Sequence, residues 1–273
     1  MPHIIEHLGR IKVVIVTKGD DAEVISCEGD SMIGQHSCKI WERRDVQDLS
    51  TKSAKKNIER LIKDYGMFTR KRKLDCKNVN SFVTYGTTEI MMTALESNII
   101  DAAVTVSDGA GTVITNSTCP GLVQSIGGEM PGLIYTEPII ETITAIEDLG
   151  GIVLDKENAR IDQVEGVKRA IKEGYKKIAV SIVEPVDAER LRAIEEENDD
   201  IELILMGVHH TGRGVEKLIE HLDLMPECGK RTIPPDVEIM YRVGSEIGMC
   251  ALKERGRRLL EQRADAVKKN QPN

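Results

Sequence analysis

Asp101-Ala102-Ala103-Val104-Thr105-Val106-Ser107 is an apolar, β-branched run that breaks into Asp108-Gly109-Ala110-Gly111-Thr112. Upstream, Ser81-Phe82-Val83-Thr84-Tyr85-Gly86-Thr87-Thr88-Glu89 is a second β-prone run, broken at Gly86 and followed by a helical stretch over 89–97. The later half places similar material at equivalent points. Gly151-Ile152-Val153-Leu154 ends in Asp155 and leads to Ala159-Arg160-Ile161-Asp162-Gln163, and an apolar run over 201–206 ends in Gly207-Val208-His209-His210-Thr211-Gly212. From Val79 onward strands alternate with helices, which predicts an α/β fold with a mostly parallel sheet and helices on both faces. In such sheets ligands sit outside the carboxyl ends of the strands, where helix N-termini favour anions.

The first part of the chain reads differently. Residues 11–17 and 22–27 are two β-prone runs around Lys18-Gly19-Asp20-Asp21, an N-terminal β-hairpin. The stretch 28–49 has no clear period, and Ser50 or Thr51 then caps a helix that Gly66 stops. The expected organisation is a hairpin and helix region over 1–78 packed on an α/β main domain over 79–273. Within the latter, helices are expected over 139–149 and 162–172, after Asp187 as a cap, near 214–221, from Pro234-Pro235 and at the C-terminus. Further strands are expected over 177–183 and near 248–252. Glu195-Glu196-Glu197 reads as a solvated face.

Composition narrows the function. The formal net charge is -8, which disfavours a general affinity for nucleic-acid phosphates. Aromatic residues make up 3% of the chain, too few for base-stacking platforms. The basic run Arg70-Lys71-Arg72-Lys73 reads as a solvated loop. Met1-Pro2-His3-Ile4-Ile5-Glu6-His7 lacks a basic start before an apolar core, and no apolar stretch reaches membrane-spanning length, so a cytoplasmic protein is expected, without a membrane partner. Cys27, Cys38, Cys76, Cys119, Cys228 and Cys250 show no paired spacing, which predicts free thiols and no disulfide, with Cys119 and Cys228 the two nearest to functional loops.

The candidate chemistry gathers at strand ends. Gly86, Thr87 and Thr88 offer backbone N–H groups, hydroxyls and a helix dipole, as an anion requires. Gly109, Gly111, Thr112, Gly127 and Gly128 form further glycine loops, yet none completes a phosphate-loop or dinucleotide fingerprint. Asp108 is a candidate base, metal ligand or turn cap, and Glu89 a capping or catalytic carboxylate. His209 and His210 leave a strand in different directions, so one of them is expected to share a pocket with Asp108 for proton transfer or metal ligation. Arg160 pairs with Asp162 or orients a carboxylate substrate. Neither a metal nor a cofactor is specified by these patterns.

Tyr85-Gly86-Thr87-Thr88-Glu89-Ile90, Asp108-Gly109-Ala110-Gly111-Thr112-Val113-Ile114, Leu122-Val123-Gln124-Ser125-Ile126-Gly127-Gly128, Asp162-Gln163-Val164-Glu165-Gly166-Val167 and Val208-His209-His210-Thr211-Gly212 resemble the methanogenesis marker protein 8 family. The resemblance spans most of the chain. It implies an archaeal cytoplasmic protein found with methyl-coenzyme M reductase and its pathway, a context without a reaction. Phe68 and Ser107 stand where cysteines are expected in many members, which weakens a cysteine-ligated iron–sulfur role, although Cys38, Cys119 and Cys228 remain. Three functions follow as expectations. The first is an accessory protein assisting maturation, cofactor handling or activation of methyl-coenzyme M reductase through a ligand cleft at the strand ends. The second is an enzyme acting on a small anionic metabolite, and the third a non-catalytic scaffold subunit.

Overall fold

The computed structural model describes residues 2–7, 11–29, 48, 50–76, 83–208, 215–227, 233–234, 236–244 and 248–269. Two sheets organise them. The first is antiparallel, with strand order β3-β2-β1-β6, built from β1 (Pro2–His7), β2 (Ile11–Lys18), β3 (Asp21–Glu28) and β6 (Gly132–Thr136). The expected hairpin is β2–β3, and β1 pairs with both β2 and the distant β6. The N-terminal sheet therefore takes its last strand from the 79–273 region. Alternation in β1 and β2 turns Ile5, Ile11, Val13 and Ile15 inward against α1 (Thr51–Tyr65), which contributes Ala54, Ile58 and Leu61. Helix α1 starts and stops as expected: Ser50 accepts the Ser53 N–H, and Gly66 closes the helix at φ 65°.

The second sheet has the order β11-β12-β10-β9-β8-β4-β5-β7. Its members are β4 (Ala102–Ser107), β5 (Gly111–Asn116), β7 (Ile152–Val153), β8 (Lys177–Ile182), β9 (Glu202–Gly207), β10 (Leu224–Glu227), β11 (Tyr241–Val243) and β12 (Gly248–Ala251). Only β4, β8, β9 and β10 run parallel, and the four outer pairings are antiparallel. The sheet is thus mixed, not mostly parallel. The cause is local: Asp108-Gly109-Ala110 does not lead into a helix but turns the chain straight back, pairing Ser107 with Gly111. Gly109 and Gly111, at φ 72° and 70°, supply the left-handed backbone this three-residue turn needs. Thr112-Val113-Ile114-Thr115 then continues as a buried strand.

Helices cover both faces. Val104, Val180, Leu203 and Leu205 point to α5 (Gln163–Lys172), α6 (Pro185–Glu196) and α7 (Val215–Ile219). Their neighbours Ala103, Ala179, Ile204 and Met206 point to α2 (Thr87–Glu96), α3 (Gly121–Gly127) and α8 (Glu254–Lys269). This period of two, with apolar residues on both sides, marks centrally buried strands. Helix α4 (Ile140–Asp148) packs beside α3 over β5 and β7.

Several expectations are corrected here. Val83, Thr84 and Tyr85 form a turn before α2, not the end of a strand. Glu184 occupies the N-cap position of α6, and Asp187 lies in the first turn. Residues 234 and 236–240 include no helix. Glu195 is not on a solvated face, because Arg192, Arg255 and the Leu203 N–H all bind its carboxylate. Cys76 and Cys119 form a disulfide, contrary to the expected free thiols. They are 43 residues apart, but the turn after β5 brings their Cα atoms to 5.2 Å, within the range of about 4.4–6.8 Å that a disulfide spans. Among the described residues no helix is long and apolar enough to cross a membrane.

Candidate functional site

Because β4, β8 and β9 are parallel, their carboxyl ends share one edge of the sheet. Asp108 follows β4 there, and the start of α2 reaches the same edge, where Thr87 Oγ1 donates to Gly207 O at 3.3 Å. The Gly86 and Asp108 loops therefore sit on one side of the sheet. Their surroundings differ.

Asp108 is closed off. Its side chain is 0% exposed and that of Arg72 1%, with Arg72 Nε 3.0 Å from Asp108 Oδ1. Asp108 Oδ2 accepts the Phe68 N–H at 2.5 Å. Arg72 spends its remaining donors on the carbonyls of Tyr65, Lys73, Ser125 and Ile126. The basic run is thus split: Arg70 and Lys71 reach Glu141 and Asp20 at the surface, while Arg72 turns inward. A buried ion pair with both partners saturated holds segments together and leaves no acceptor for a substrate.

A closed hydrogen-bond circuit continues from this pair. The Thr17 hydroxyl donates to Phe68 O at 2.6 Å, so its oxygen accepts from His3 Nε2 at 2.7 Å. His3 Nδ1 is then the acceptor for the Thr136 hydroxyl at 2.6 Å, and Thr136 in turn accepts the Gly109 N–H at 2.8 Å. The neutral Nε2–H tautomer satisfies every member. Burial pushes the His3 pKa down to about 4, opposed by the attraction of Asp108 and aided by the chain's amino terminus. The circuit ties β1, β2, β6, the segment after α1 and the β4–β5 turn together. Asp108 and Gly109 are its anchor.

The other β4–β5 residues are equally committed to packing. A Cβ on Gly109 would meet Ile139 at 2.8 Å, and one on Gly111 would meet Ala159 O at 2.2 Å. Thr112 accepts the Asp162 N–H and donates to Gln163, which seats α5 on the sheet. Asp162 caps α5, and the exposed Arg160 pairs with it at 3.2 Å. His209 and His210 lie outside the described residues.

A polar group left unsatisfied among the described residues lies beside the start of α2. Gly86 is the N-cap and supplies no side-chain cap. Three residues on, Glu89 is 2% exposed. Its Oε1 accepts from the Val83 N–H at 3.2 Å and from Gln124 Nε2 at 3.1 Å, and its Oε2 from the Thr88 hydroxyl at 3.2 Å. Burial raises the Glu89 pKa, against the pull of its own and the Val83 N–H groups, of Thr88 and of Arg263. Arg263, from α8, braces the loop by donating to Thr84 O and to the Thr93 hydroxyl. Gly127 lets α3 approach, since a Cβ there would lie 2.6 Å from Thr88 Cγ2. Gly128 closes α3 by donating to Gln124 O. Gly86, Thr87, Thr88, Gly127 and Gly128 are thus brought together, around a carboxyl that sequence reasoning left between two roles.

Gln124 was not foreseen. Its Oε1 is buried without a hydrogen-bond partner among the described residues. Burial shifts the Glu89 carboxyl toward its protonated form, and the unsatisfied Gln124 oxygen can accept only from an O–H or N–H donor of a ligand. Among the described residues no cluster of three or more His, Cys, Asp or Glu side chains is placed to hold a metal ion.

Comparison with known proteins places the chain among archaeal proteins. An uncharacterized protein of Methanocaldococcus jannaschii is 37% identical over 271 residues, covering 98% of this chain and 92% of that relative. A family model described as "Uncharacterized protein conserved in archaea (DUF2099)" matches residues 3–265. The chain belongs to this archaeal family.

Proposed function

We propose that the protein is a cytoplasmic accessory factor of methane formation, of the methanogenesis marker protein 8 type, that serves the maturation, cofactor handling or activation of methyl-coenzyme M reductase. In this reading it holds a small anionic ligand at the carboxyl edge of the parallel strands. The observation that supports ligand binding is the start of α2, where Gly86 supplies no side-chain cap and the buried Gln124 oxygen beside Glu89 lacks a donor among the described residues. The helix start favours the ligand's negative charge, and a hydroxyl or amine on the same ligand would satisfy the Gln124 oxygen. The methanogenic context rests on the motif resemblance, with which a relative from Methanocaldococcus jannaschii accords. The net charge of -8 supports a protein or small-molecule partner over a nucleic acid.

Affinity purification of the full chain from anaerobically grown methanogen cells tests this directly. Retention of methyl-coenzyme M reductase subunits, or of proteins that act on them, is expected. Recovery of the chain alone, after mild cross-linking, would count against the accessory role. The raised pKa of Glu89 favours a second reading, an enzyme acting on a small phosphorylated or carboxylated metabolite with Glu89 as its proton-transfer group. Turnover by the isolated chain that is abolished in Glu89→Gln would select that reading.

A further inference from the structure

The segment after α1 runs as a strap across α3. Arg72 donates to the carbonyls of Ser125 and Ile126, the Asp75 N–H donates to Ser125 Oγ at 2.9 Å, and the Cys76 backbone lies directly on Gly121. A Cβ on Gly121 would be 2.1 Å from Cys76 O, so only glycine admits this seat. The Cys76–Cys119 disulfide fastens the same end. Cys119 is 3% exposed, whereas Cys76 is half-buried, so Cys76 is the more accessible residue of the pair. The helix under the strap carries Gln124 against Glu89.

We propose that Cys76 and Cys119 form a reversible redox latch that exchanges with a low-molecular-weight thiol and its disulfide, and that the latch sets how firmly α3 is held. The chemistry is ordinary exchange. A thiolate attacks the sulfur of Cys76, the more exposed residue of the pair, the Cys76–Cys119 bond breaks, and its electron pair leaves on the Cys119 sulfur, which takes up a proton. A second thiolate then attacks the other sulfur of the mixed disulfide and releases Cys76 as a thiolate, which is protonated. Two small thiols become one disulfide, and the protein gains two thiols. The reverse closes the latch. The exchange itself holds whatever the protein binds; its influence on Gln124 and Glu89 rests on the proposed ligand site.

The test equilibrates the folded full chain with graded ratios of reduced and oxidised dithiothreitol, quenches with an alkylating reagent and maps the label by peptide mass spectrometry. Cys76 and Cys119 should become labelled together and lose the label on re-oxidation before quenching, with the far-ultraviolet circular dichroism unchanged. Buried Cys250 should stay unlabelled until denaturant is added. Amide hydrogen exchange over 72–76 and in α3 should accelerate at least tenfold on reduction, with α5 unaffected. Labelling of both cysteines in the oxidised folded protein would overturn the bond. Opening only in denaturant, or loss of circular dichroism on reduction, would make it a static staple. Unchanged exchange in α3 would refute the latch. A Cys76→Ser chain that folds should show the fast α3 exchange in every buffer, and slow exchange there would equally refute it. If ligand binding fails while these results hold, the proposed site falls and the latch stands.

Discussion

Acidification should weaken this fold through His3. The ring is neutral in the native circuit, with a pKa of about 4, against an ordinary value of 6.5 in the unfolded chain. Between these values the unfolded state binds the extra proton, so stability is fully present above 6.5 and is lost as the pH falls toward 4. A difference of about 2.5 units, at about 1.36 kcal/mol each, makes the loss about 3 kcal/mol. That is a large fraction of the stability of an ordinary domain. His3→Gln isolates the effect, because a glutamine amide can donate to Thr17 and accept from Thr136 without titrating. Urea unfolding of both proteins at intervals from pH 7 to 4 gives the difference in unfolding free energy. We expect the advantage of the native protein over His3→Gln to shrink by about 3 kcal/mol over that range. A difference that stays constant with pH would show that His3 is not held neutral and that the tautomer assigned to the circuit is wrong.

Other outcomes follow from the same contacts. Arg72→Met or Asp108→Asn alone should cost about 3–5 kcal/mol, because each leaves a buried charge or its partner unpaired; the double variant should cost clearly less than the sum, as measured by chemical denaturation. Asp223 is 0% exposed and binds Arg192, Arg255 and the Leu205 N–H, so Asp223→Ala should lose a similar amount, while Lys176→Ala, which removes an exposed pair with Asp200, should be near neutral. Glu89 has the opposite sign to His3: with its pKa raised in the native state, its contribution is fully present below its unfolded value and is lost as the pH rises through the folded one. Glu89→Gln should therefore be at least as stable as the native protein at pH 7 by urea unfolding, and, with a donor kept and a negative charge removed, should bind an anion at the α2 start at least as well.

What could be read in advance was local. Ser50 and Gly66 mark the ends of α1 by their own chemistry, and the continuous apolar runs of β8 and β9 need no partner to be recognised as buried strands. The joining of β1 with β6 spans more than a hundred residues, and nothing in Gly132-Leu133-Ile134-Tyr135-Thr136 names its neighbour. Asp108 looked like a site residue because it follows a buried strand, a position shared by catalytic and by anchoring carboxylates. Its partner Arg72 is hidden in a run of exposed cations 36 residues earlier. Glu89 stands at the third position of α2 after Gly86-Thr87-Thr88, the position of an ordinary capping carboxylate; only Gln124, brought over by α3, and burial under Arg263 distinguish it. Cys76 and Cys119 fit no spacing rule, because a tertiary contact alone brings them together.

The division of labour between the two carboxylates, Asp108 as an anchor and Glu89 as the proton-exchanging group, is most directly tested by carbon-detected NMR titration of the side-chain carboxyls in the native protein and in Glu89→Gln. We expect a glutamate signal that titrates above the ordinary carboxylate value to vanish in Glu89→Gln, leaving any raised signal of Glu96 in place. A Glu89 signal that titrates in the ordinary range would remove the basis for proton transfer at the start of α2.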